Sequence, residues 1–239
     1  MTVQTKRVSD PPTLAAEFAK DFADWSARQT HDKISIALSG GSTPKILFKL
    51  WAEQYADVID WSRLHFYWGD ERCVPPGDPE SNYGVAKELL FDKVPVPPEN
   101  IHRVLGEADP QEERFRYEDE IRSVVALGAN GLPQFDLMLL GMGDDGHTAS
   151  IFPHQRELLT STEICEVAQH PVSGQTRITM TGPVIKAAKK TVFLVTGAGK
   201  KAVLADVIHH KGEFETYPAS YIDEGDVTFY VDDAAGELL

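Results

Sequence analysis

His147 stands in the run Gly141-Met142-Gly143-Asp144-Asp145-Gly146-His147-Thr148-Ala149-Ser150, whose glycines and carboxylates suit a flexible loop. An imidazole titrates near neutrality and can take a proton from water. Asp145, two residues earlier, either orients that ring or shapes the turn. The run formally matches G-x-G-x-x-G. Two carboxylates inside the turn would repel a pyrophosphate, so the dinucleotide reading is set aside. A histidine with a purely structural loop role is the competing reading.

Further segments offer an anion what it needs. Ser39-Gly40-Gly41-Ser42-Thr43-Pro44 combines glycines, which let backbone approach a ligand, with two hydroxyls and a helix start. Thr43 is expected as N-cap and Pro44 as the first helical residue. A helix N-terminus presents unpaired N–H groups to an anion. Gly69-Asp70-Glu71-Arg72-Cys73-Val74-Pro75 supplies Arg72, either a surface ion-pair partner or a cation beside a substrate anion or developing oxyanion. Gly197-Ala198-Gly199-Lys200-Lys201 is not a Walker A loop, because its first glycine is misplaced and no Ser or Thr follows the lysines. It still brings ammonium groups to a helix start. Arg177 is a further isolated cation.

Other chemistries lack their residues. No G-x-S-x-G elbow exists, and Ser42 and Ser150 have no activating context, so water is favoured over a serine nucleophile. His209 and His210 have no carboxylate at ligand spacing, so no metal site is expected. Cys73 and Cys165 read as two free thiols of a reducing cytoplasm. The net charge of −14 argues against nucleic acid and against an anionic membrane surface. No apolar run reaches the ~20 residues of a membrane span. The N-terminal residues lack the apolar stretch of a secretory signal.

These segments must be held by elements, and the pattern alternates. Helices are expected over Thr13–Arg28, from the phosphate-type turn to Leu50, over Ser81–Phe91, Asp109–Leu127, near Gly182–Lys189 and over Lys200–His209. Strands are expected at Lys33–Leu38, Leu64–Trp68, Phe135–Leu140, Thr191–Thr196 and Asp226–Val231, with Ile101–Leu105 and Gln175–Thr181 extended. The many charges of the Asp109–Leu127 helix read as a solvated face. Strands separated by helices imply an α/β fold: a three-layer α/β/α arrangement around a mainly parallel twisted sheet. Ligands of such sheets bind outside the carboxyl ends of the strands, where the turns above fall. With no linker or repeat, residues 1–239 are expected to form one domain.

The ordered set resembles the 6-phosphogluconolactonase family. It is carried by Ala37–Pro44, Trp68–Pro75, Ser81-Asn82-Tyr83, Gly141–Ser150 with Phe152-Pro153, and Arg177–Thr181. The resemblance covers nearly the whole chain. It implies the modified Rossmann-like fold of glucosamine-6-phosphate deaminase and 6-phosphogluconolactonase. It also implies metal-free, cofactor-free hydrolysis of 6-phospho-D-glucono-1,5-lactone in the oxidative pentose phosphate pathway, by a cytoplasmic monomer or weak homo-oligomer. On that resemblance His147 is the general base, with Arg72 and Asp145 in the catalytic group. Ser39, Gly40, Gly41, Ser42, Thr43, Asp70, Arg177 and Lys201 hold the substrate and its phosphate, Lys200 being the alternative to Lys201. The glycine usual after Phe-Pro is His154 here, and Ser173–Thr176 is atypical.

Two other functions compete. Glucosamine-6-phosphate deaminases share the phosphate turn and the Asp145-Gly146-His147 core, but the glutamate that follows their histidine corresponds here to Phe152, and their tyrosine after Asp-Glu to Arg72. Isomerisation needs proton shuttling that an apolar side chain cannot supply. A sugar-phosphate sensor would need a DNA-binding module, and no basic or helix-turn-helix segment precedes residue 33.

Overall fold

The computed structural model describes residues 3–239. In chain order the main elements are β1 (Gln4–Val8), α1 (Pro11–Ala27), β2 (Ile34–Leu38), α2 (Ser42–Gln54), β3 (Leu64–Trp68), β4 (Asp70–Arg72) and α3 (Asn82–Ala86), which runs on into one π-helical turn over Lys87–Phe91. There follow α4 (Pro110–Val124), β5 (Leu137–Leu140), β6 (Cys165–Gln169), β7 (Thr176–Met180), α5 (Gly182–Ala187), β8 (Lys190–Val195), α6 (Lys201–His209) and β9 (Asp226–Asp232).

Six strands form one sheet in the order β1-β9-β8-β5-β2-β3, and every pairing is parallel. All five residues of β2 are buried, as a strand covered on both faces must be. Its alternation sorts the core into two layers. Ile34, Ile36 and Leu38 join Leu137 and Leu139 against α1, α2 and the α3 segment. Ala37, Met138 and Leu140 face α4, α5 and α6 on the other side. The expected three-layer α/β/α fold is present.

Local chemistry explains the helices. Asp10 caps α1 by accepting from the Thr13 backbone N–H at 2.8 Å, and Pro11-Pro12 occupy its first turn. The helix therefore starts two residues before the expected Thr13, because prolines with fixed φ fit a first turn. Leu14, Phe18 and Phe22 form its buried face, with Phe22 at 4.5 Å ring-centroid distance from Trp51 of α2. The charged face of α4 is not simply solvated. Glu113 and Glu118 are buried, Glu113 paired with Arg116 and bound to the Leu105 N–H, and Glu118 bound to the Cys165 N–H with Arg114 beside it.

A second sheet was not expected. Strands β4, β7 and β6 form it in that order, all antiparallel. The segment Asp70–Arg72, expected as a loop after β3, is its edge strand. Gly69 makes the break: its N–H still bonds Leu38 in the large sheet, while its carbonyl accepts from Met180 in the small one. The small sheet thus stands at the carboxyl ends of β2, β3 and β5. Strand order reverses about β2, whose neighbours β3 and β5 lie on opposite sides, so this end is the switch point where such sheets bind ligands.

Candidate active site

A cavity of about 230 Å³ opens at that switch point. It is lined by the turn after β2 (residues 39–44), by Asp70 and Arg72 of β4, Asn82 of α3, Arg177 of β7, the loop after β5 (including Gly143, His147 and Ala149), and Thr196 and Lys200 after β8.

The turn after β2 is built on Gly41, whose φ of +115° a side chain would strain. Gly41, not Thr43, is the N-cap of α2, and no side chain caps the helix. The Thr43 hydroxyl is engaged elsewhere, 2.9 Å from Thr196 Oγ1, and Pro44 is consequently the third helical residue rather than the first. The leading N–H groups of a 13-residue helix are therefore left without a side-chain cap at the cavity, where an anion can accept from them. Gly40 is required for close approach: a Cβ there would stand 1.8 Å from Asn82 Oδ1. Ser39 is buried, its hydroxyl donating to the Gly40 carbonyl at 3.2 Å.

Asn82 itself is fixed from below. Its Nδ2 donates to the Asp70 carbonyl at 2.9 Å. The Glu71 carboxylate accepts from the backbone N–H groups of Arg72, Asn82 and Tyr83 at 2.7–2.8 Å. Burial pushes the Glu71 carboxyl up to about 7 against the downward pull of those donors.

The loop after β5 presents the imidazole. Asp145 Oδ1 accepts from the His147 backbone N–H at 3.1 Å and lies 2.6 Å from its Nδ1. Although burial raises the Asp145 carboxyl, the hydrogen bond and charge of His147 outweigh it and hold the group near 2. At neutral pH Asp145 is thus ionised and can only accept. The ring proton must sit on Nδ1, which leaves a lone pair on Nε2. The loop tolerates no bulk: a Cβ on Gly143 would fall 2.1 Å from His147 Nδ1, and Gly146, at φ +78°, packs under Tyr217. Ala149 adopts φ +46° at the cavity wall, an unusual conformation for a residue with a Cβ. Phe152 is fully buried, its ring centroid 4.7 Å from that of His147.

On the small sheet, Arg72 and Arg177 pair in register between β4 and β7, and both line the cavity. Like charges directly opposite destabilise a sheet. Among the described residues neither guanidinium has a carboxylate within ion-pair distance, and Arg72 Nε is buried without a partner. Arg72 Nη1 donates to the Glu80 carbonyl at 2.8 Å. Burial lowers the Arg177 pKa, and the nearby Arg72 charge adds to that, against Asp70. Two such cations suit a ligand that brings its own negative charge.

The two candidate lysines are placed differently. Lys201 is the first residue of α6 and pairs with Glu237 at 2.9 Å, outside the cavity. Lys200 lines the cavity and pairs with Asp144 at 2.5 Å. A short 3₁₀ turn over Ala198–Lys200 precedes α6 and rotates the two side chains apart. The remaining expected residues come together, with Asp145 joining through His147. Asn82, Thr196 and Ser150 were missed as site residues. Asn82 fell in a quoted motif, but its contact with Gly40 depends on the tertiary fold. No group of three or more His, Cys, Asp or Glu side chains is arranged to hold a metal among the described residues.

The model of the family described as glucosamine-6-phosphate isomerases/6-phosphogluconolactonase matches residues 9–231. A Haemophilus influenzae protein named 6-phosphogluconolactonase is 46% identical over 226 residues, covering 93% of this chain and 94% of the relative. One from Treponema pallidum is 43% identical over 202 residues, covering 84% and 83%. Among solved structures, the 6-phosphogluconolactonase of Trypanosoma brucei superposes with a TM-score of 0.89 at 27% identity, covering 100% of this chain and 99% of that one. A monomeric glucosamine-6-phosphate deaminase reaches 0.82 at 21% identity, covering 99% and 100%, a likeness of fold.

Proposed function

The chain belongs to the glucosamine-6-phosphate isomerase/6-phosphogluconolactonase family, and we propose that it hydrolyses 6-phospho-D-glucono-1,5-lactone to 6-phospho-D-gluconate by general-base activation of water. The observation that carries the chemistry is the Asp145–His147 pair at a cavity it shares with two guanidiniums that have no carboxylate within ion-pair distance.

The substrate's phosphate docks on the N–H groups of the residue 40–43 turn, with Lys200 beside it. His147 Nε2 removes a proton from a water poised at the lactone carbonyl, and the imidazolium formed is stabilised by Asp145 at Nδ1. The hydroxide oxygen bonds to the carbonyl carbon, and the charge that develops on the carbonyl oxygen falls to Arg72, while Arg177 beside it holds the substrate. The tetrahedral intermediate collapses with cleavage of the ring C–O bond, and His147 returns its proton to the departing ring oxygen. The carboxylic acid formed releases its proton to solvent, and the resulting carboxylate is an anion that the same guanidiniums match. Neither a metal nor a cofactor is asked for. Fixing the phosphate first converts remote binding energy into rate.

Phe152 favours this reaction over deamination, since a buried ring beside His147 offers no second proton-transfer group. The proposal extends to a cytoplasmic enzyme of the oxidative pentose phosphate pathway, one domain over residues 1–239, without nucleic-acid or membrane partners. In the described residues no helix is long and apolar enough to cross a membrane. The test is His147→Ala: kcat should fall by about a hundredfold or more, while 6-phosphogluconate still binds. Near-normal kcat would remove His147 from the base role.

A further inference from the structure

Ser150 is wholly buried behind the cavity wall. Its hydroxyl donates to Asp70 Oδ2 at 2.6 Å and accepts from Arg177 Nη1 at 3.3 Å. Its own N–H donates to Thr179 Oγ1 at 3.2 Å, which fixes the backbone on β7. Asp70 and Arg177 are each less than a tenth exposed, and both line the cavity. The two charges are thus coupled through one hydroxyl rather than joined in a direct ion pair.

That arrangement solves a specific problem. A buried guanidinium opposite Arg72 needs a counter-charge, or its burial is very costly. A direct bidentate pair with Asp70 would satisfy it, but would also occupy the N–H groups that a substrate anion needs. A bridging hydroxyl supplies the acceptor for one Nη1 N–H and conveys the Asp70 charge, Gln175 Oε1 accepts from Nε at 3.3 Å, and the Nη2 group is left for a ligand. The face of Phe152, 5.6 Å from the guanidinium carbon, supports the same orientation. It sets Arg177 against the ring that also packs on His147.

We propose that Ser150 is a positioning residue: through the Asp70–Ser150–Arg177 chain it holds Arg177 toward the substrate, and Asp70 acts on that chain rather than as a ligand of the phosphate. The inference rests on the lactonase reading for its substrate, but its geometry is independent of which end of the substrate Arg177 meets.

The test is a double-mutant cycle. Ser150→Ala and Ser150→Cys remove the strong hydroxyl bridge, the second at similar volume. Both should raise KM for the lactone and Kd for 6-phosphogluconate by about tenfold, the loss of a hydrogen bond to a charged group, with kcat changed less than threefold. In an Arg177→Ala background the same substitutions should add less than twofold, because the group they position is gone. Full additivity in that background, or Ser150→Cys with wild-type KM and Kd, would overturn the proposal. If Ser150→Ala does not fold, Ser150→Cys alone decides it. A wild-type protein that binds 6-phosphogluconate without hydrolysing the lactone would overturn the catalytic reading instead, and the cycle would then be read on Kd.

Discussion

Replacing Asp145 separates the two things its carboxylate does for His147. A carboxyl group that falls from 3.8 to about 2 has its ionised form favoured by a net of about 2.5 kcal/mol, for which His147 is the largest favourable cause. The side chain is 43% exposed, so solvent screening leaves on the order of 1 kcal/mol. Asp145→Ala removes that stabilisation of the imidazolium and should lower kcat about fivefold. Asp145→Asn should do more damage. Its amide can turn an N–H toward Nδ1 and drive the ring proton onto Nε2, which removes the lone pair needed for water; a loss of about a hundredfold is expected. KM should stay within about twofold in both, since Asp145 does not line the cavity. The assay is acid release from lactone generated in situ, corrected for spontaneous hydrolysis. Both variants within twofold of wild-type kcat, or Asn milder than Ala, would refute the tautomer argument.

Gly143→Ala should abolish turnover while leaving the fold intact, since the atoms nearest its Cβ are side-chain atoms of His147 and Asp145; unchanged kcat with native circular dichroism would contradict the loop geometry. Lys200→Ala should raise KM several-fold and Lys201→Ala leave it within error, which steady-state kinetics of the two variants decides. At the other end of the sheet, burial and the neighbouring His102 and Lys33 charges hold His65 down to about 4. The folded state then binds that proton less tightly than the unfolded chain, so the contribution is complete above pH 6.5 and lost as pH falls toward 4. Relative to His65→Phe, the wild type should lose about 2 kcal/mol of unfolding free energy between pH 7 and pH 4.5. Urea titrations at the two values measure it, and a constant difference would contradict it.

Five strands of the large parallel sheet were legible because they are mostly apolar and separated by amphipathic helices, Ile34–Leu38 and Leu64–Trp68 carrying one polar residue each, whereas the edge strand Gln4–Val8 is polar and was not expected. The small sheet was not. Asp70–Arg72 is three residues long and charged, and β6 carries Glu166 and Gln169, so neither shows the apolar content that marks a strand. For β4 the partner, β7, lies far away in sequence, while β6 meets β7 across the short 170–175 connection. The site was legible where chemistry is written in one stretch, as in Asp145-Gly146-His147 and the Ser39–Pro44 turn. It was illegible where residues meet only in space, as with Asn82 under Gly40 and Ser150 between Asp70 and Arg177. Lys200 and Lys201 could not be told apart because they are adjacent and identical in type, and Lys200 ends a 3₁₀ turn at the cavity while Lys201 begins α6.

On the proposed mechanism, one histidine base beside paired guanidiniums opens a phosphorylated lactone. That mechanism is tested most directly by giving the purified protein 6-phospho-D-glucono-1,5-lactone and, in parallel, glucosamine 6-phosphate. Acid release well above the spontaneous rate, lost in His147→Ala, with no ammonia from the amino sugar, is the predicted result. Lactone decay at the spontaneous rate, or ammonia release by the wild type, would contradict the account.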